Sequence, residues 1–139
     1  MPRQALRISL LVLLALSFSS TLHADQSASA QVAGKAWLSK LDSGDYSGTW
    51  DAAASIFKTA LSSQAWQQAS QTVRTPLGAV RQRTELSSVP TKTLPGVPDG
   101  DYVVMQFTTE FEFKAQAIET VIMTLDKDGS WKVAGYFVR

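Results

Sequence analysis

Among the side chains that can move a proton or hold a charge, Glu119 has the most telling position. It falls in phase with Ala117, Val121 and Met123 in a run that alternates apolar and polar residues, so an extended chain puts its carboxylate on the apolar side. A lone carboxylate there is costly to desolvate and needs a partner. Arg74 and Arg83 are the cations able to supply a bidentate one, since the end of a helix and the strand after it must pass near the sheet. Three roles are open to Glu119. It is a structural ion pair fixing helix to sheet, or a residue turned outward by a bulge, or a charged group at the mouth of a pocket. In the last case Glu119, Arg74, Arg83, Tyr46 and Tyr136 form the candidate ligand-binding set, with the tyrosines as phenolic donors at the core edge.

Much other chemistry is excluded. The chain has no cysteine, and its one histidine, His23, lies in a segment expected to be removed. A mature chain of that kind has no disulfide, no thiol or imidazole nucleophile or base, and no imidazole or thiolate metal ligand. Asp126-Lys127-Asp128-Gly129 begins like a calcium loop, but its glycine is at position 4 instead of 6 and Phe137 stands where the bidentate glutamate belongs. It reads as a hairpin turn, and Asp99-Gly100-Asp101 as another turn. Gly44 and Gly48 flank Tyr46 without forming a phosphate loop. Neither a metal nor a cofactor is expected. Trp37, Trp50, Trp66 and Trp131 each fall on the apolar stripe of their own element and are assigned to the core.

The 139 residues, 45% of them hydrophobic, suffice for one domain. Its first 24 residues read as a secretory signal: Arg3 and Arg7 make a basic start, Ile8 to Phe18 an apolar run, and Leu22-His23-Ala24 a cleavage site. The run is shorter than the roughly 20 residues that span a bilayer. Residues 25–139 are then the mature domain, periplasmic or secreted. Loss of Arg3 and Arg7 turns the net charge of +1 into about −1. With Arg81-Gln82-Arg83 and Arg74 as its only basic patch, the chain is not expected to bind nucleic acid.

Hydrophobic periodicity supplies the elements that position these residues. Val32, Ala36, Trp37 and Leu41 fall at helical spacing before the breaker Asp42-Ser43-Gly44-Asp45. Tyr46, Trp50, Ala53, Ala54, Phe57 and Leu61 make the stripe of a second helix. Trp66, Ala69 and Val73 make that of a third, capped by Ser62 or Ser63 and ended near Arg74 by Pro76. Beyond Gly78 the period becomes two. A weak strand runs from Val80 to Val89. The next puts Val103, Met105, Phe107, Phe111 and Phe113 inward, and a third does the same with Ala117, Val121, Met123 and Leu125. Trp131, Val133 and Phe137 share the inner face of a fourth. The expected fold is α+β, three N-terminal helices packed on one face of a four-stranded antiparallel meander.

Trp37-Leu38, Asp45-Tyr46, Trp50, Phe57, Trp66, Arg74-Thr75-Pro76-Leu77-Gly78, Arg83, Leu94-Pro95-Gly96, Asp99-Gly100-Asp101-Tyr102, Glu119-Thr120 and Asp128-Gly129-Ser130-Trp131-Lys132-Val133-Ala134-Gly135-Tyr136 occur in an order and spacing that resembles the bacterial secreted family called domain of unknown function 4019. The likeness covers nearly the whole mature chain and implies a secreted α+β domain, with no activity or catalytic residues attached. The layout is also similar to the cone-shaped nuclear transport factor-like and cystatin-like folds, and a shared fold is no warrant for a shared function.

The expected function is non-catalytic binding of a small molecule or a protein partner. The alternatives are a small acid/base enzyme using Glu119 with Tyr46 or Tyr136, and a homodimer through the outer sheet face, where Val104, Ile118, Ile122 and Val138 lie among Thr, Gln and Lys. The mature protein is expected to begin at or near Asp25. Intact mass of the exported product measures this, and a full-length chain in the membrane fraction would contradict it.

Overall fold

The computed structural model describes the backbone of residues 10–139 and the side chains of residues 24–139; Arg3, Arg7 and Ile8 of the expected signal lie outside the described residues. Helices come first and a four-stranded antiparallel sheet in the order β1-β2-β3-β4 follows, the expected α+β arrangement.

Helix α1 (Leu10–Asp42) runs without interruption across Ala24 and Asp25. Among the described side chains, the first it buries fully is Ala30, followed by Trp37, Leu38 and Leu41, while Val32 and Ala36 face solvent. The buried stripe is thus rotated from the expected one. Gly34 is the reason: a Cβ there would stand 2.9 Å from the Met105 sulfur and 3.2 Å from that of Met123. The face that touches the sheet is the one with the least side chain, and hydrophobic periodicity does not register a glycine. Gly44, at φ +81°, then closes the helix, its amide donating to the Leu41 carbonyl.

The second apolar stripe is divided into α2 (Tyr46–Asp51), capped by the Asp45 side chain on the Gly48 amide, and α3 (Ser55–Ala60). All of its apolar residues still turn inward. Between the two helices Ala54 becomes extended and its amide donates to the Val133 carbonyl at 2.8 Å, so a bond to the sheet replaces helical continuity. The indoles of Trp37 and Trp66 both donate to Thr49, to its carbonyl and its hydroxyl respectively, each at 2.9 Å. Helix α4 (Ser63–Arg74), capped by Ser62, buries Trp66, Ser70 and Arg74, one residue per turn. Ala69 and Val73, expected in the core, are exposed. A 3-10 turn (Thr75–Leu77) follows at Pro76.

Strands β1 (Val80–Thr91), β2 (Tyr102–Phe111), β3 (Lys114–Leu125) and β4 (Trp131–Val138) form the meander. Val103, Met105, Phe107, Phe111, Ala117, Val121, Met123 and Val133 are buried under the helices. Two expectations fail here. Phe113 is 71% exposed, because Glu112 and Phe113 are the hairpin turn between β2 and β3, their amides bonded to the Ala79 and Leu77 carbonyls. Phe137 is 60% exposed. Met123 pairs with Val133 but Ile122 pairs with Gly135, so Ala134 is an inserted bulge residue that reverses the phase of β4 beyond it. Tyr136 and Val138 consequently lie on the inner side, and Phe137 takes the place expected for Val138 on the outer side.

Cutting Phe107, Val121 or Val133 to Ala should therefore cost about 2–4 kcal/mol. Phe137→Ala and Gln106→Ala, on the outer face, should each cost less than about 1 kcal/mol. Urea melts rank the five; a Phe137→Ala loss matching that of Phe107→Ala would contradict the bulge.

Candidate functional site

Glu119 is completely buried, and both its oxygens are occupied. Arg83 donates from Nε to Oε1 at 2.7 Å and from Nη2 to Oε2 at 3.2 Å. Thr109 Oγ1 donates to Oε1 and the Tyr136 hydroxyl to Oε2, each at 2.5 Å. Strand geometry produces this convergence. Thr109 on β2 and Tyr136 on β4 are diagonal neighbours of Glu119 across the inner face, and Arg83 pairs with Thr109 from β1. Tyr136 arrives there only because of the Ala134 bulge.

Asp42, at the end of α1, extends the network to the helices. Its carboxylate accepts from Arg83 Nη1 at 2.7 Å and Nη2 at 3.0 Å, and from Arg74 Nη2, at the end of α4, at 2.8 Å. Two cations face two anions, so the cluster is neutral, and α1, α4 and all four strands contribute to it. Burial alone would raise the Asp42 carboxyl, but hydrogen bonds from Arg83 and Arg74 and their charges outweigh it and hold that carboxyl below the ordinary aspartate range. Burial, then the charge and hydrogen bond of Glu119, push the Tyr136 hydroxyl well above the ordinary phenol range, so it stays a donor. Glu119 has no lone pair left for a substrate proton.

Of the residues singled out in the sequence, Glu119, Arg83, Arg74 and Tyr136 come together. Tyr46 does not; it packs against the hydrophobic core from the start of α2. Sequence reasoning missed Asp42 and Thr109. Asp42 was legible in principle, since two arginines serving one buried glutamate leave a charge uncompensated and require a second carboxylate.

Beside this cluster lies a cleft of about 250 Å³ between α4 and β4. Trp66, Ala69, Ser70, Val73 and Arg74 form one wall and Tyr136, Phe137 and Val138 the other. Arg74 is only 6% exposed, with its guanidinium 5.2 Å from the centre of the Phe111 ring. Its Nε and Nη1 have no hydrogen-bond partner among the described residues, and neither has the Ser70 hydroxyl next to it. Apolar walls with a few unsatisfied polar atoms are the composition of a binding site. Among the described residues no three His, Cys, Asp or Glu side chains group to hold a metal ion, and no helix is long and apolar enough to cross a membrane.

A family model described as Protein of unknown function (DUF4019) matches residues 33–136, a span that contains Asp42, Arg74, Arg83, Thr109, Glu119 and Tyr136. No curated protein matches the chain.

Glu119→Gln leaves Arg83 half-neutralised in a desolvated position and should lower stability by about 3–5 kcal/mol. Double-mutant cycles should show coupling above about 0.5 kcal/mol with Arg83→Met, and less with Arg74→Met, which Glu119 reaches only through Asp42. A near-neutral Glu119→Gln would refute the anchor. Since the folded Asp42 value is lowered, its contribution is complete above about pH 4 and is lost as pH falls through that lowered value. Asp42→Asn should flatten the acid limb of the stability profile, and an unchanged limb would show that Asp42 does not carry it.

Proposed function

The chain belongs to the DUF4019 family, and we propose that it is an exported, non-catalytic binding module whose site is the cleft between α4 and β4. The observation that carries this is the pair of unpartnered Arg74 donors in the wall of an otherwise apolar cleft. A buried guanidinium with two unsatisfied nitrogens costs stability, and because Nε and Nη1 are closed off from water in this conformation an acceptor recovers it with a small shift of the cleft wall. Because the ion cluster is already neutral, a carbonyl or hydroxyl oxygen meets that need without adding a buried charge. A cone-shaped fold would hold its ligand between helices and sheet. Here Trp37, Leu38, Met105 and Met123 pack together between helices and sheet, and the recess that adjoins the unpartnered donors lies at the α4–β4 border.

Export rests on Arg3, Arg7, the apolar run Ile8 to Phe18 and Ala24. Cleavage after Ala24 is compatible with the core, whose first member among the described residues is Ala30. An acid/base enzyme is disfavoured by the four hydrogen bonds on Glu119, one of them from Tyr136 itself. The homodimer has one feature in its favour: Val89, Val104 and Ile122 stand in register across the outer face, with Phe137 folded over Gly135 beside them.

Native mass spectrometry of the mature protein should find a bound mass that Ala69→Trp, a cleft-filling change at an exposed position, abolishes without altering the melt. Absence of bound mass, or its persistence in Ala69→Trp, would argue against the cleft. Light scattering over a range of concentrations reads the dimer.

A further inference from the structure

The two edges of the sheet are treated differently. β1 carries two register shifts and Pro90, devices that keep an edge from pairing with another strand. β4 has one register shift, at Ala134, and none of these devices in the residues after it. Ala54 covers the edge at Val133, and beyond it Ala134-Gly135-Tyr136-Phe137-Val138 has neither charge nor proline. Arg139 exchanges both backbone bonds with Ile118, at 2.9 and 3.1 Å, so its amide and carbonyl point toward β3. By antiparallel alternation those of Val138 and Tyr136 point away from β3. They have no partner among the described residues, and both residues line the cleft.

α4 completes the arrangement. It packs chiefly on α2 and stands off from β4, presenting the exposed Ala69 and Val73 across the gap. A cleft of about 250 Å³ is smaller than the roughly 300–1,000 Å³ that encloses a drug-sized ligand. Its occupant therefore lies along the cleft and inserts side chains into it. Free backbone groups at a spacing of two on one wall, and an apolar helix face opposite, fit an extended chain.

We propose that the partner of this cleft is an extended peptide segment that adds as a fifth strand to β4, pairing with the backbone of Tyr136 and Val138 and placing alternate apolar side chains against Ala69 and Val73. This rests on the cleft being the binding site and names what fills it. Specificity comes from the alternate side chains, while the backbone pairing is indifferent to sequence.

The test uses heptapeptides selected from a random displayed library on the immobilised mature protein. The expected binders carry apolar residues at every second position. On binding, the Tyr136 and Val138 amides should gain protection from hydrogen exchange, read by NMR. Val138→Pro removes one edge amide without touching the ladder and should weaken binding at least tenfold; Ala69→Trp should do the same by filling the cleft. Binders that tolerate Val138→Pro and leave both amides unprotected, yet fail on Ala69→Trp, overturn strand addition and keep the cleft. Strand addition is likewise overturned, and the cleft kept, if no peptide is enriched while 8-anilinonaphthalene-1-sulfonate binds the protein and fails to bind Ala69→Trp. Failure of peptide and dye alike overturns both. A concentration-dependent mass abolished by Val138→Pro makes a second copy of β4 the occupant and overturns the peptide.

Discussion

The architecture turns on the desolvated carboxylate of Glu119. A charge removed from water in the middle of a sheet is tolerable only when every lone pair is met, and the donors that meet them come from β1, β2 and β4 at once. Asp42 then has to balance the surplus arginine, which fixes where α1 ends and how α4 lies. Such a cluster contributes little net stability compared with well-packed apolar residues. Its value is positional. Slipping β3 by one residue would expose Glu119 and leave Arg83 and Arg74 to share the one carboxylate of Asp42, so the register of the whole meander is set from this point.

How much of this is legible in the sequence depends on the kind of signal. The order of helices and strands, the inward phase of β2 and β3, and the requirement of Glu119 for an arginine all follow from spacing and desolvation, and all are seen. What escapes notice involves residues whose effect lies in what they lack or insert. Gly34 has no side chain, and that is why α1 presents the face it does. Ala134 adds one residue to β4 and exchanges the sides of Phe137 and Val138. Neither disturbs a hydrophobic pattern read residue by residue. Asp42 has the look of a helix breaker, because nothing local distinguishes a breaker from an aspartate that reaches two arginines 32 and 41 positions away.

The candidate site shows the same division. Arg74 and Tyr136 belong to the set that the sequence suggests around Glu119, and both are also walls of the cleft, which no one-dimensional pattern reveals. Ala69 and Val73 fit the apolar stripe of α4 and have the spacing of core residues. They line the cleft instead. The helix buries Trp66, Ser70 and Arg74 toward the interior and keeps a second apolar line facing a gap, so its amphipathicity is real but points in two directions.

The Glu119 cluster joins the first helix to the last strand, and this has a consequence for the time course of folding. A chain made from its N-terminus cannot assemble the cluster until Tyr136, near its C-terminus, has emerged. Before then Glu119 has Arg83 and Thr109 but lacks its fourth donor. Contacts of such long sequence separation form late. A chain made from its N-terminus thus closes this cluster only with the last strand of the meander, whatever its helices and first hairpins have formed by then.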